Sequence, residues 1–169
     1  SLTFTWQQNQ IQTEKIERSQ QAALSSDISF ALTQSQNLQE LLECCVEATK
    51  QHLNFSSVCV WIVNPIKNCL ELKACAGICN YIEENYQTLL IGELQIGKIA
   101  QTRQPYLSNN IFYDTEIHLQ QWAIAEDIIA FAGYPEMVED EVVGVMMILS
   151  RQPLQKTTFQ TLASLVDQV

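Results

Sequence analysis

A chain of 169 residues with 47% hydrophobic content has room for one packed core and a modest extension. Its 9 Lys and Arg against 19 Asp and Glu leave a formal charge of -10, which repels phosphate backbones and anionic membranes, so neither nucleic acid nor a membrane is expected as a partner. No run of about 18 apolar residues is present to cross a bilayer, and the opening SLTFTWQQNQ lacks the charged start and apolar stretch of a signal peptide, so a cytoplasmic location is expected, within a longer protein.

In chain order, the first signal is a seam. Leu24, Ile28, Ala31, Leu38, Leu42 and Cys45 follow steps of three and four residues, interrupted at polar Ser35, which is the spacing of a broken coiled coil. Asn37 followed by Glu40 offers a capping-box start, with the Asn side chain accepting from backbone N–H groups. One helix is therefore predicted over 8–34 and a second over 38–53. An ordinary amphipathic helix folded back on its own domain is the alternative for the first.

Strands follow. SVCVWIV, 57–63, is apolar on both alternating faces, as a central strand covered on both sides must be. LELKACA, 70–76, alternates instead, placing Leu70, Leu72, Ala74 and Ala76 on one side and Glu71 and Lys73 on the other. Asn64, Pro65 and Asn68 supply the turn between them. Gly97 is read as opening a short helix, GKIAQTRQ, that Pro105 ends, and 106–108 as another strand. Asp114 reads as the N-cap of a helix, DTEIHLQQWAIAED. A second hairpin is predicted from 128–137 and 141–150, its tip Glu139-Asp140 adopting positive φ in a type I′ turn. A closing helix, TTFQTLASLVDQV, carries Phe159, Leu162, Leu165 and Val166 on its apolar side.

The six cysteines are scattered. Cys44 and Cys45 are adjacent on a helix; Cys59, Cys69, Cys75 and Cys79 fall on the first two strands and their ends. There is no C-x-x-C pair, and only Cys75 and Cys79 have a C-x-x-x-C spacing. They read as core or surface thiols, with redox sensing or metal binding through Cys75 and Cys79 as the alternative. The spacing supplies no four-ligand set, so no metal is expected.

AQTRQPYLSN, Trp122, AFAGYP and VVGVMMILSRQPL, in this order and spacing, resemble the second half of a GAF domain, most closely those of bacterial sensor histidine kinases. The resemblance extends less specifically from Asn37 to the C-terminus. It implies an α+β fold in α/β/α layers, PAS-related, with a central antiparallel sheet, flanking helices and a long N-terminal helix. Residues 1–36 would form a helical extension and 37–169 the domain. The ligand pocket of that family maps here onto Cys59, Trp61, Gly97, Lys98, Trp122, Ala123, Ile129 and Phe131. Gly97 and Lys98 could offer N–H groups and a charge to an anion, although Gly97 could be a turn residue alone and Trp122 a core anchor. Glu136 and Asp127 would add negative charge at the rim, against an acidic ligand.

Bilin-binding members attach their chromophore through a Cys-His pair. The matching stretch here, 111–127, has His118 but no cysteine, so no covalent bilin is expected. No cyclic-nucleotide signature can be assembled, and the reductase members' cysteines are absent after Cys79. No nucleophile-base set, phosphate loop or phospho-acceptor motif appears, so the chain is not read as an enzyme. The resemblance implies a regulatory sensor domain binding a small molecule and relaying its state through the flanking helices to adjacent signalling domains, with a parallel homodimer formed along the seam and closing helix. A ligand-free dimerisation and relay module is the alternative.

Overall fold

The computed structural model describes residues 2–34, 37–115 and 117–166; the side chains of 2, 28–34, 159 and 163–166 lie outside that description. The expectations for Ile28, Ala31, Phe159, Leu165 and Val166 fall on those side chains.

Two helices lead: α1, Leu2–Gln34, and α2, Leu38–Leu53. The first starts some residues earlier than its apolar pattern suggests. Asn37 caps α2, its side-chain oxygen accepting from the Glu40 N–H at 2.8 Å, and Asn54 ends it in the left-handed region at φ 56. The strands are β1, Ser57–Asn64, and β2, Cys69–Gly77, followed by α3, Asn80–Asn85, β3, Thr88–Leu90, α4, Leu94–Thr102, and β4, Tyr106–Ser108. A 3₁₀ turn, Ile111–Tyr113, precedes α5, Gln120–Ala125, β5, Ala130–Val138, β6, Glu141–Ser150, and α6, Lys156–Val166.

These strands make one sheet of six in the order β3-β2-β1-β6-β5-β4, every pairing antiparallel. β1 and β6 are central, and β1 is buried along its first five residues, as its two-sided apolarity requires. The hairpin tip adopts φ 50 at Glu139 and 66 at Asp140, the expected I′ geometry.

One register feature departs from simple alternation. Val60 pairs with Ala74 but Trp61 pairs with Leu72, so Lys73 is an extra residue in a β-bulge. The bulge reverses the side-chain parity of β2. Leu70 and Leu72 face one side of the sheet and Ala74 and Ala76 the other, correcting the single stripe drawn from the sequence, and Cys75 turns to the side of Leu70.

Two apolar layers result. On one face, Val58, Val60, Ala132, Tyr134 and Ile148 pack against Leu24 of α1, Leu42, Cys45 and Val46 of α2 and Leu162 of α6. On the other, Cys59, Trp61, Phe131, Val145 and Met147 pack against Ile82 of α3, Ile96 and Ile99 of α4, Ile117, Leu119 and Ala123. This is the expected helix, sheet, helix-and-loop layering.

The first layer corrects the seam. Leu24, Leu42, Cys45 and Leu162 are at most 3% exposed within the chain itself, so they are covered by their own domain and not left for a second copy; Leu38 alone of the described seam residues is exposed. His52 of α2 also pairs with Asp27 of α1. The stretch of α1 around Leu24 and Asp27 is thus an integral part of the first layer.

Candidate functional site

The second layer holds a small apolar cavity of about 20 Å³, open to the surface beside His118 and lined by Tyr86, Leu94, Gln95, Ile96, Ile117, His118, Leu119, Phe131 and Met147. Such a space holds about one water. Larger grooves of about 250 and 590 Å³ run along α1, but they are open and lined mostly by Gln, Glu, Asn and Thr side chains, as expected where a helix stands proud of a domain. The apolar lining of the space under the sheet makes it the better small-molecule candidate.

Its walls are tied together through Tyr86. The backbone carbonyl of Tyr86 accepts from Trp61 Nε1 at 2.8 Å, and its hydroxyl donates to the His118 carbonyl at 3.2 Å. Burial raises this phenol to about 12, with the neighbouring Tyr81 adding to the effect. Tyr81 meets Tyr86 edge-on at 5.8 Å and stacks on Trp122 at 5.5 Å. The Nε1 of Trp122 is buried with no hydrogen-bond partner among the described residues. Leaving such a donor unpaired costs about 1–3 kcal/mol.

The roof of the cavity is a loop where a helix was predicted. Asp114 does not cap a helix; α5 begins only at Gln120. Ile117 and Leu119 both plunge into the core while His118 is exposed. That is a period of two, incompatible with a helix. The loop is closed instead by side chains: Gln120 Nε2 donates to the carbonyls of Asp114, at 2.9 Å, and Ile117, and the Tyr106 hydroxyl donates to the Asp114 carboxylate.

Of the residues expected to line a pocket, Phe131 does so; Cys59, Trp61 and Ala123 lie in the surrounding buried cluster, and Trp122 packs at its border. Three expectations are corrected. Ile129 packs against the opposite layer, because Ile128 takes the inward position. Gly97 lies inside α4, and its N–H donates to the Glu93 carbonyl at 2.9 Å, so it has no free donor for an anion. A Cβ there would sit 2.5 Å from the Leu90 carbonyl oxygen, so the glycine serves close packing of α4 on β3, with Lys98 beside it on the half-exposed side. Glu136 is not on the rim: it is 9% exposed on the helix-covered face, where burial first, then Cys44 and Glu136, push the Cys45 thiol up to about 11. Asp127 is exposed with φ 59, a backbone position that asparagine and aspartate tolerate.

Tyr86, Ile96, Ile117, Leu119 and Met147 line the cavity and were not singled out from the sequence. Met147 could have been found from the alternation of VGVMMILS, and Ile117 and Leu119 from their period of two.

A second constellation occupies the same layer. The sulfurs of Cys59, Cys75 and Cys79 all lie within 4.8 Å of one another, two of them buried and Cys75 half-buried. The fold brings Cys59 to the pair spaced in sequence. Hydrogen bonds from Cys59 and Cys75, aided by Lys50, hold the Cys79 thiol below its usual range, against the effect of burial. Cys59 is raised by burial. Neither histidine joins a nucleophile here, since His52 pairs with Asp27 on the other face and His118 is exposed.

Comparison with known proteins adds the family. The profile of the GAF domain family matches residues 37–169. Among solved structures, the nlh2 GAF domain of A. aeolicus in an inactive state is 19% identical, with a TM-score of 0.75 over 89% of this chain and 93% of that one. The GAF domain of a phosphoenolpyruvate-protein phosphotransferase from Coxiella burnetii is 17% identical, with a TM-score of 0.77 over 89% and 90%. The free methionine-R-sulfoxide reductase of Neisseria meningitidis is 13% identical, with a TM-score of 0.71 over 85% and 81%. At these identities the likeness is one of fold. A comparison with curated protein sequences found no match. Among the described residues no helix is long and apolar enough to cross a membrane.

Proposed function

This chain belongs to the GAF family, and from that premise we propose that it is a regulatory sensor domain that admits a small, largely apolar molecule beneath the 114–119 loop. The observation that carries the reading is the buried, unpartnered indole N–H of Trp122, one ring away from the Tyr86 wall of the cavity. A buried donor without an acceptor calls for an explanation, and an acceptor on a bound molecule is the one this reading supplies. The ligand class is therefore an apolar body with one acceptor.

The cavity of about 20 Å³ describes the closed form; opening needs only the loop held by Gln120 and Tyr106 to lift. Ile117 and Leu119 on that loop share the pocket layer with Trp61 and Met147 of the central strands. Those same strands present Val60 and Ile148 to the terminal helices. A ligand that binds the open form better would shift this packing and so reach α1 and α6. The parent we infer is a cytoplasmic signalling protein of the sensor-histidine-kinase kind, a reading supported by the sequence resemblance and testable from the domain content of the full-length chain.

The test is a thermal-shift screen of apolar metabolites carrying a carbonyl or carboxylate, run on the chain and on Trp122→Phe. A compound that stabilises the parent and binds about tenfold more weakly to Trp122→Phe supports the sensor. A ligand-free relay module is the second reading, favoured by how little space the closed cavity leaves. It prevails if no compound at millimolar concentration shifts the parent.

A further inference from the structure

We propose that Cys59, Cys75 and Cys79 form a three-thiolate site for one thiophilic d¹⁰ cation, Cu⁺ or Zn²⁺, on the pocket face of the sheet. The proposal goes beyond the sensor reading and stands whether or not an organic molecule enters the cavity.

Two features of the backbone converge on the site. Cys59 and Cys75 are direct cross-strand partners in β1 and β2, and they share a face only because the bulge at Lys73 reverses the parity of β2 beyond it. Were Lys73 paired opposite Val60 in regular alternation, Cys75 would lie opposite Val58 and face the terminal helices. Cys79 is delivered by a pinned turn. Gly77 has φ +90 and packs so closely on Ser56 that a Cβ would lie 2.1 Å from its carbonyl oxygen. That carbonyl accepts from the Ile78 N–H at 3.0 Å, while Ser57 Oγ donates to the Ile78 carbonyl at 2.6 Å. The chain therefore folds back over β1, and Cys79 Sγ stops 3.8 Å from Cys59 Sγ.

That spacing suits a metal. Metal–sulfur bonds of about 2.3 Å put sulfurs about 3.8 Å apart around a tetrahedral ion and about 4.0 Å apart around a trigonal one. The three sulfurs here fall within 4.8 Å, so side-chain rotations that close the gaps by up to about 1 Å complete the set. They are too far apart to be a disulfide as they stand. Thiolates select soft ions, and Cu⁺ needs no fourth donor, whereas Zn²⁺ takes four and would use a water on the half-exposed Cys75 side. Binding releases the thiol protons, and Lys50, whose chain reaches the Gly77 turn with Cε 3.3 Å from where a Cβ would be, offsets part of the remaining negative charge.

The experiment uses the whole reduced chain, titrated anaerobically with Zn²⁺ alone and with Cu⁺ alone, each in the presence of a competing chelator. One ion per chain is expected, with X-ray absorption showing three sulfur neighbours, plus one oxygen for Zn²⁺ and none for Cu⁺; the ion retained against the stronger chelator identifies the source. Cys75→Ser should weaken retention at least a hundredfold, and Cys44→Ser, an exposed thiol on α2, should leave it unchanged. Should Cys75→Ser fail to fold, the sulfur count on the parent chain still decides. Fewer than three sulfurs around the ion, no ion retained, or retention insensitive to Cys75 would each overturn the proposal, as would recovery of the anaerobic protein with two of the three thiols already joined.

Discussion

Trp61 and Trp122 carry the same indole N–H into the same apolar layer with opposite results. Trp61 is fully buried and donates to the Tyr86 carbonyl; Trp122 is half-buried and donates to nothing described. Trp122→Phe keeps the ring on Tyr81 and removes the orphan donor, so urea unfolding without ligand should show no loss, or a gain of about 1 kcal/mol. Trp61→Phe removes a satisfied bond and should cost about 1–2 kcal/mol. Equal losses in the two would show that the Trp122 donor is satisfied after all. Burial also predicts a pH dependence at this scale. The Cys45 thiol is raised to about 11, so above its unfolded value near 8.5 the unfolded chain releases a proton that the folded one keeps. The stabilisation is complete below that value and is lost as pH climbs through about 11. Cys45→Ala should flatten the fall in unfolding free energy between pH 8 and 11; an unchanged slope would assign the loss elsewhere. The family resemblance made Phe131, Cys59 and Trp61 legible as pocket-layer residues. The inversion at Ile129 was hidden by where the strand begins to alternate, and the backbone bond of Gly97 is invisible to any reading of side chains.

At the scale of elements, periodicity succeeded where an element is long and its faces differ. β1, β2, β5, β6 and α2 emerge from apolar alternation and one cap. It failed at three kinds of place. α3 and β3, six and three residues long, are too short to show a period. The stretch from Asp114 looked helical because it has a good cap residue and polar spacing, but Ile117 and Leu119 bury at alternate positions and tertiary packing overrode the propensity. The bulge is a third kind, since nothing in LELKACA says which residue will be skipped. Its consequence is testable. Lys73 is exposed and its side chain contacts mainly Glu71 at 3.2 Å, so Lys73→Ala should change stability by no more than about 0.5 kcal/mol. Deleting Lys73 removes the bulge yet leaves Leu70, Leu72 and Cys75 on one face and Ala74 and Ala76 on the other, so the side-chain pattern survives. The deletion variant should therefore keep a cooperative melting transition; loss of that transition would mean that the strand needs the extra residue for more than side-chain parity. The loop over the cavity gives a gentler case. Gln120→Ala removes the donors to Asp114 and Ile117, and hydrogen exchange at 117–119 should quicken while β1 and β6 stay protected.

At the scale of the whole molecule, the question is which surface another copy of the chain would use. Leu24, Leu42, Cys45 and Leu162 are spent on the domain's own first layer, but Phe4, Trp6, Ile11 and Ile16 of α1 are each more than half exposed. Trp6 and Leu24 are eighteen residues apart, five full turns, so Trp6 extends the face that Leu24 buries and looks toward Thr157 and Thr161 of α6. Phe4 and Ile11 are seven apart and fall on the opposite side. A helix with apolar residues on opposite sides suits a bundle of several helices better than a two-stranded seam. We therefore expect a homodimer in which the N-terminal half of α1, with α6 beside it, packs against the same pair from a second chain. Sedimentation at micromolar concentration should show a dimer that Phe4→Glu combined with Ile11→Glu converts to a folded monomer. Leu24→Ala should act differently, costing about 2–5 kcal/mol of unfolding free energy with little effect on association of the folded protein. If instead Leu24→Ala dissociates a stable dimer while the double Glu variant leaves it intact, association runs along the Leu24 to Cys45 seam, and the first layer must open for the chain to pair.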